Sequence, residues 1–160
     1  IVSAATAQTA EEIKPVLELL MRDSSNHFKT YKGSKHVTRK GDTFHNTFSS
    51  TINIPGTFEN IIVKDYDSTD TYHFCADLVS DMAITSEKEA RKEVEEWKRK
   101  LKSVLPSQFT MKKMEQTESF VAPKNGGYTF SDGHIRIIIG YNVFSQSKAS
   151  SAYIIIGNEL

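Results

Sequence analysis

Apolar residues recur at helical spacing in two stretches of this chain and at strand spacing through much of the rest. Ile13, Val16, Leu17 and Leu20 form one stripe, and Ala90, Val94, Trp97, Leu101 and Val104 form a second. Each stripe follows a capping-box spacing, Thr9-Ala10-Glu11-Glu12 in the first and Ser86-Glu87-Lys88-Glu89 in the second. There a hydroxyl and a carboxylate each satisfy an amide that the first helical turn leaves without a partner. Pro106 ends the second helix. Pro15 lies beyond the first turn counted from Thr9, so the first helix either starts later than its box implies or bends there. That helix fades over Asp23-Ser24-Ser25-Asn26, or it runs on to Phe28 and stops by Gly33. On the wet side of the second helix, Glu95 with Arg99 and Glu96 with Lys100 have ion-pair spacing.

From residue 42 to 54 the period changes to two. Phe44, Phe48, Ile52 and Ile54 share one face, interrupted by Asn46 and Ser50. Pro55-Gly56 is a turn signal, and Asp67-Ser68-Thr69-Asp70 separates two strand-like runs, 61–66 and 72–76. After Pro106, residues 109–121 supply a strand, Asn125-Gly126-Gly127 a turn and Ser131-Asp132-Gly133 another. Residues 135–144 and 152–157 are the most hydrophobic strands, so they belong at the sheet centre or beneath the helices. The order of one helix then three strands therefore occurs twice, over 9–81 and 86–160. The fold class expected is α+β: an antiparallel sheet of about six strands with two amphipathic helices, an α-β-β-β duplication within a single 9–160 domain.

Composition adds boundaries. Twenty basic and twenty acidic residues cancel, which gives no reason to expect a nucleic-acid partner. No apolar run approaches the roughly 20 residues of a membrane span. The sole cysteine, Cys75, excludes an internal disulfide and a multi-cysteine zinc site. The first residues, Ile1-Val2-Ser3-Ala4-Ala5-Thr6-Ala7, read as the tail of a secretory signal with cleavage before Gln8, or as an unstructured Ala-rich terminus. The signal reading makes the protein periplasmic or secreted.

Candidate chemistry is sparse. Asp65 to Asp70 alternates oxygen side chains as a calcium loop does, but lacks the glycine and closing glutamate of the helical calcium motif. A solvated hairpin turn accounts for the same residues. His73 and Cys75 share one strand face, about 7 Å apart by twice the rise per residue, too far for direct proton transfer. The remaining histidines form no metal-ligand spacing, and the glycines form no phosphate loop or dinucleotide fingerprint. No catalytic residue, cofactor or metal is assigned. Lys29, Lys32, Lys35, Arg39 and Lys40 make a basic stretch, and Glu59, Asp65, Asp67, Asp70, Asp77 and Asp81 concentrate acid later in the same half; the contacts singled out are the five basic residues with Asp65, Asp67 and Asp70. These eight are the speculative partner contacts, with a solvated charged surface as the plain alternative.

With both halves laid out, the repeated order resembles the tandem α+β folds of periplasmic inhibitors of the β-lactamase inhibitor protein type. Ile52-Asn53-Ile54-Pro55-Gly56 followed by the helix from Ser86 to Leu105 also looks like uncharacterised exported bacterial proteins. A similar element order occurs in secretion chaperones. The resemblance is architectural and carries over no numbered residue. The signal-like start, the duplicated architecture and the lack of a catalytic constellation in the sequence point to an exported, non-enzymatic module that binds another protein through a sheet face or edge, with a homodimer through an edge as one form of this. The alternative is a carrier holding a small apolar or amphipathic ligand between the sheet and the helix that contains Trp97. A hydrolase would need a histidine, a carboxylate and a hydroxyl to converge in one cleft.

Overall fold

The computed structural model describes residues 9–37, 43–65, 71–117, 121–147 and 149–159. Helix α1 spans Ala10–Asp23 and α2 spans Glu87–Val104. The strands are β1 (Lys32–Val37), β2 (Thr43–Ser50), β3 (Phe58–Lys64), β4 (Tyr72–Asp77), β5 (Thr110–Lys113), β6 (Lys124–Ser131), β7 (Ile135–Val143) and β8 (Ser150–Asn158). All pair antiparallel in one sheet of order β1-β2-β3-β4-β8-β7-β6-β5. The fold is α+β with two helices, as expected, but the sheet has eight strands rather than about six. Each half contributes one helix and four strands, and the last strands of the two halves, β4 and β8, pair at the centre.

Two strands escaped the hydrophobic pattern. Strand β1, Lys-Gly-Ser-Lys-His-Val, has no apolar alternation because it is an edge; Lys35 is exposed and Lys32 half-buried. Strand β6 contains Asn125-Gly126-Gly127, the residues that read as a turn. Instead, Gly126 lies opposite Tyr141 and Gly127 opposite Gly140 within the ladder. A Cβ at 126 would stand 3.1 Å from the Tyr141 hydroxyl, so glycine here makes room for a ring rather than a reversal. The expected strand over 109–121 contracts to the four residues of β5, all exposed.

Both capping boxes form. Thr9 accepts from the Glu12 amide at 3.4 Å and Ser86 from the Glu89 amide at 3.2 Å, with each glutamate returning to the cap amide. Helix α1 therefore starts at its box and runs through Pro15. It ends at Asp23 and gives way to one 3-10 turn, Ser24–Asn26. His27 and Phe28 then take left-handed φ values of 57° and 55°, a reversal held by the Asp23 carboxylate, which accepts from Asn26 and Thr30. The reversal drops Phe28 into the core, 6.4 Å from the Phe74 ring.

One face of the sheet carries the core. The register aligns Phe48, Ile62, Phe74, Ile156, Ile137 and Phe130 across six strands, and α1 and α2 pack on this row and its neighbours. Trp97 is 1% exposed there. The wet face of α2 pairs differently from the spacing: Glu95 binds Lys98 and the Tyr128 hydroxyl, while Glu96 faces Lys92 at 3.8 Å. Among the described residues, no helix is long and apolar enough to cross a membrane.

Candidate functional site

Because strand side chains alternate, a sheet with both helices on one side must present its other row to something else. That opposite row reads Ser49, Ile61, Cys75, Ile155, Ile138, Thr129 and Lys112 across seven consecutive strands. Ile61, Cys75, Ile155 and Ile138 occupy its middle, and all are half-buried. None belongs to the core cluster or to the apolar residues packed against it. The result is an apolar strip at the centre of an open face, where the two halves meet.

Polar groups flank the strip on both sides. On one side, His73 Nε2 lies 2.8 Å from Asp65 Oδ2, with the imidazole above Gly157; any side chain at 157 would strike the ring. Arg136, opposite Gly157 on β7, lies beyond it. On the other side stand Glu59, Asp77 and Tyr153. Strand β3 bulges here: Phe58 pairs with Asp77 and Ile61 with Cys75, so three steps on β3 match two on β4. Glu59 sits in the bulge at φ 45°, a left-handed value uncommon outside glycine. Asn60 turns the other way and accepts from the Ile54 amide at 3.0 Å. Glu59 reaches His36 on β1 at 3.0 Å and also neighbours Asp77.

The electrostatics follow from burial. Desolvation, then the charge of Glu59 and hydrogen bonding to it, push the Asp77 carboxyl up to about 6. Burial, reinforced by Asp77 and Asp65, pushes the Cys75 thiol up to about 12, so the thiol is not a nucleophile at neutral pH. Burial also raises the Tyr153 phenol. Two small depressions open around the acid pair. One, of about 140 Å³, is lined by Ile61, Cys75, Asp77, Tyr153 and Ile155. The other, of about 190 Å³, is lined by Asp77, Asp81, Met82 and Ser151, and Glu59 borders both. Among the described residues, no three His, Cys, Asp or Glu side chains are grouped to hold a metal ion.

The sequence-derived contacts are only partly brought together. Lys29 is exposed in the turn before β1. Lys32 and Lys35 lie on β1 opposite Ser50 and Phe48, with the Lys32 ammonium 4.7 Å from the Phe48 ring centre and 5.1 Å from that of Tyr72. Asp65 stands at the end of the open face, paired to His73. Arg39, Lys40, Asp67 and Asp70 lie outside the described residues, as do the calcium-like turn between them and the signal-like residues 1–8. Ile138 and Ile155 escaped the sequence reading as site residues, and Glu59 and Asp77 entered it only within the general concentration of acid. For Ile138 and Ile155 the available signal was apolar residues at alternate positions of strands whose other positions already fill the core.

A second concavity, of about 620 Å³, lies between α2 and β5–β6. Arg91, Val94, Glu95, Met114, Tyr128 and Tyr141 are among its walls. Arg91 sits 4.8 Å over the Tyr141 ring, and Lys98 approaches the Tyr128 hydroxyl at 3.3 Å. Comparison of the chain with protein-family models, with curated proteins and with solved structures returns no match.

Proposed function

We propose that this is an exported, non-enzymatic module that binds another protein through the open face of its sheet. The observation that carries the reading is the apolar strip Ile61–Cys75–Ile155–Ile138, uncovered among the described residues while both helices pack on the other face. A strip of this kind rimmed by charge matches the usual anatomy of a protein-binding surface. The face is favoured over an edge as the contact. Edge strand β1 carries two lysines and register shifts, and edge strand β5 has four residues including Lys112 and Lys113, all features that discourage strand addition. Export is supported by the apolar-then-small pattern of Ile1 to Ala7, and duplication of an α-β-β-β-β unit by the mirrored strand order.

The test places a photo-crosslinking amino acid at Ile138 or Ile155, and separately at the exposed Leu19 of α1, in cells of the native host. A discrete adduct from the sheet positions and none from Leu19 supports the reading. Adducts from Leu19 alone refute it.

The concavity beside α2 favours a second reading, a carrier of a small amphipathic ligand, because its volume falls in the range of about 300–1,000 Å³ typical of ligand sites. It lies at the sheet margin rather than around Trp97, which is buried. A small-molecule mass retained in native mass spectrometry, and lost on Tyr128→Ala, would favour it over the first reading.

A further inference from the structure

We infer that the open face takes a partner segment presenting an arginine or lysine side chain, whose cationic head seats between Glu59 and Asp77 while its stem lies along Ile61 and Ile155. This inference rests on the open face being the partner-binding surface, and it specifies the chemistry of what binds there.

Charge complementarity points to a cation. Asp77 and Glu59 neighbour each other across β3 and β4, and the β3 bulge sets Glu59 in a left-handed backbone conformation. Such bulges re-aim a side chain, and unusual backbone conformations cluster where function requires them. Among the described residues, no lysine or arginine forms an ion pair with either carboxylate. His36 contacts Glu59 on the side away from β4, and the group beyond Asp77 is another acid, Asp81. A pair of carboxylates crowded this way repel each other when both are ionised, and burial penalises the Asp77 charge further. An incoming cation removes both penalties together.

The surroundings select a side chain over a free small molecule. The two depressions that share Glu59 and Asp77 measure about 140 and 190 Å³, below the roughly 300 Å³ at which ligand sites begin. The apolar walls of the smaller one, Ile61 and Ile155, suit the methylene stem of an arginine or lysine, which buries its carbons and leaves its head for the carboxylates. Arginine fits best, because its planar head can donate to two carboxylates at once.

The experiment is a titration of the isotope-labelled full chain, followed by amide and methyl NMR. The probe is acetyl-Leu-Arg-Leu-amide, compared with the same peptide carrying uncharged citrulline. The arginine peptide is expected to move the Cys75, Asp77, Tyr153 and Ile155 signals and to bind at least about tenfold more tightly than the citrulline peptide. Asp77→Asn and Glu59→Gln, each checked for an unchanged spectrum elsewhere, should erase that preference. Equal binding of the two peptides on the open face overturns the inference but leaves the protein-binding reading standing. No movement on the open face with either peptide, or movement confined to Arg91, Tyr128 and Tyr141, removes both.

Discussion

Replacing Asp77 by asparagine should stabilise the protein at neutral pH and leave it unchanged in acid. In the folded chain the Asp77 carboxyl holds its proton up to about pH 6, against an ordinary value of 3.8, because of burial first and Glu59 second. A carboxyl raised on folding binds its proton more tightly in the native state than in the unfolded one. Its favourable contribution is therefore complete below about pH 4 and is lost as pH rises through about 6. The difference of about two pH units corresponds to about 3 kcal/mol at roughly 1.36 kcal/mol per unit. Asp77 is only half-buried, so solvent screening reduces this to about 1–2 kcal/mol. Asparagine keeps the shape and removes the charge. Urea unfolding of both proteins by circular dichroism, repeated across the pH range, reads the difference directly. The variant should match wild type near pH 4 and exceed it by about 1–2 kcal/mol near pH 7.5. A variant no more stable than wild type near neutral pH, or a gain independent of pH, would refute the reasoning. A confirmed gain would show that the ionised Asp77 costs the unbound protein stability.

Three further outcomes follow from the geometry. The Cys75 thiol, pushed up to about 12 by burial and flanking carboxylates, should react with an aromatic disulfide reagent on the order of a hundredfold more slowly in the native protein than in denaturant; comparable rates would show the thiol to be accessible. Gly127→Ala should cost about 3 kcal/mol or more in urea unfolding, because its methyl would meet the fixed Ile139 backbone. Gly140→Ala should cost less, since its Cβ would stand 2.6 Å from the movable tip of Tyr153, and the reverse order would contradict the packing. Pro15→Ala should raise the melting temperature, since proline removes one helical hydrogen bond and costs up to about 3 kcal/mol inside α1; a loss of stability would mean that the ring itself packs usefully.

Local chemistry was the legible part of this fold. Thr9 with Glu12, and Ser86 with Glu89, mark helix starts through contacts only three residues apart, so four letters suffice to see them. The Ser131-Asp132-Gly133 turn is equally local: the Asp132 carboxylate accepts from the amides of His134 and Ile135 at 2.9 and 2.8 Å. Strands β1 and β6 were illegible for opposite reasons. An edge strand needs no apolar face, and the two glycines of β6 are required by Tyr141 and Gly140 on a strand some fifteen positions away. The site was hidden for the same non-local reason. Glu59 and Asp77 become neighbours only when β3 pairs with β4, a register that hydrophobic period does not reveal. Ile61, Ile138 and Ile155 read as additional core residues until both helices are found on the opposite side of the sheet.

The mirrored strand order also dictates how the chain can reach its native state. Seven ladders hold the sheet, and six of them join strands consecutive in sequence, which need only short loops to close. The seventh, β4 with β8, joins segments separated by the whole of α2 and three strands. Each meander can zip up on its own, but until the two meet, Phe74 and Ile156 sit on naked strand borders able to pair with another molecule. Docking of β4 on β8 is therefore expected to be the slow step, with competing pairing between molecules lowering the folded yield as concentration rises. The seam that completes the molecule is also the line along which Cys75 and Ile155 come together, so the open face proposed for binding does not exist until folding is finished.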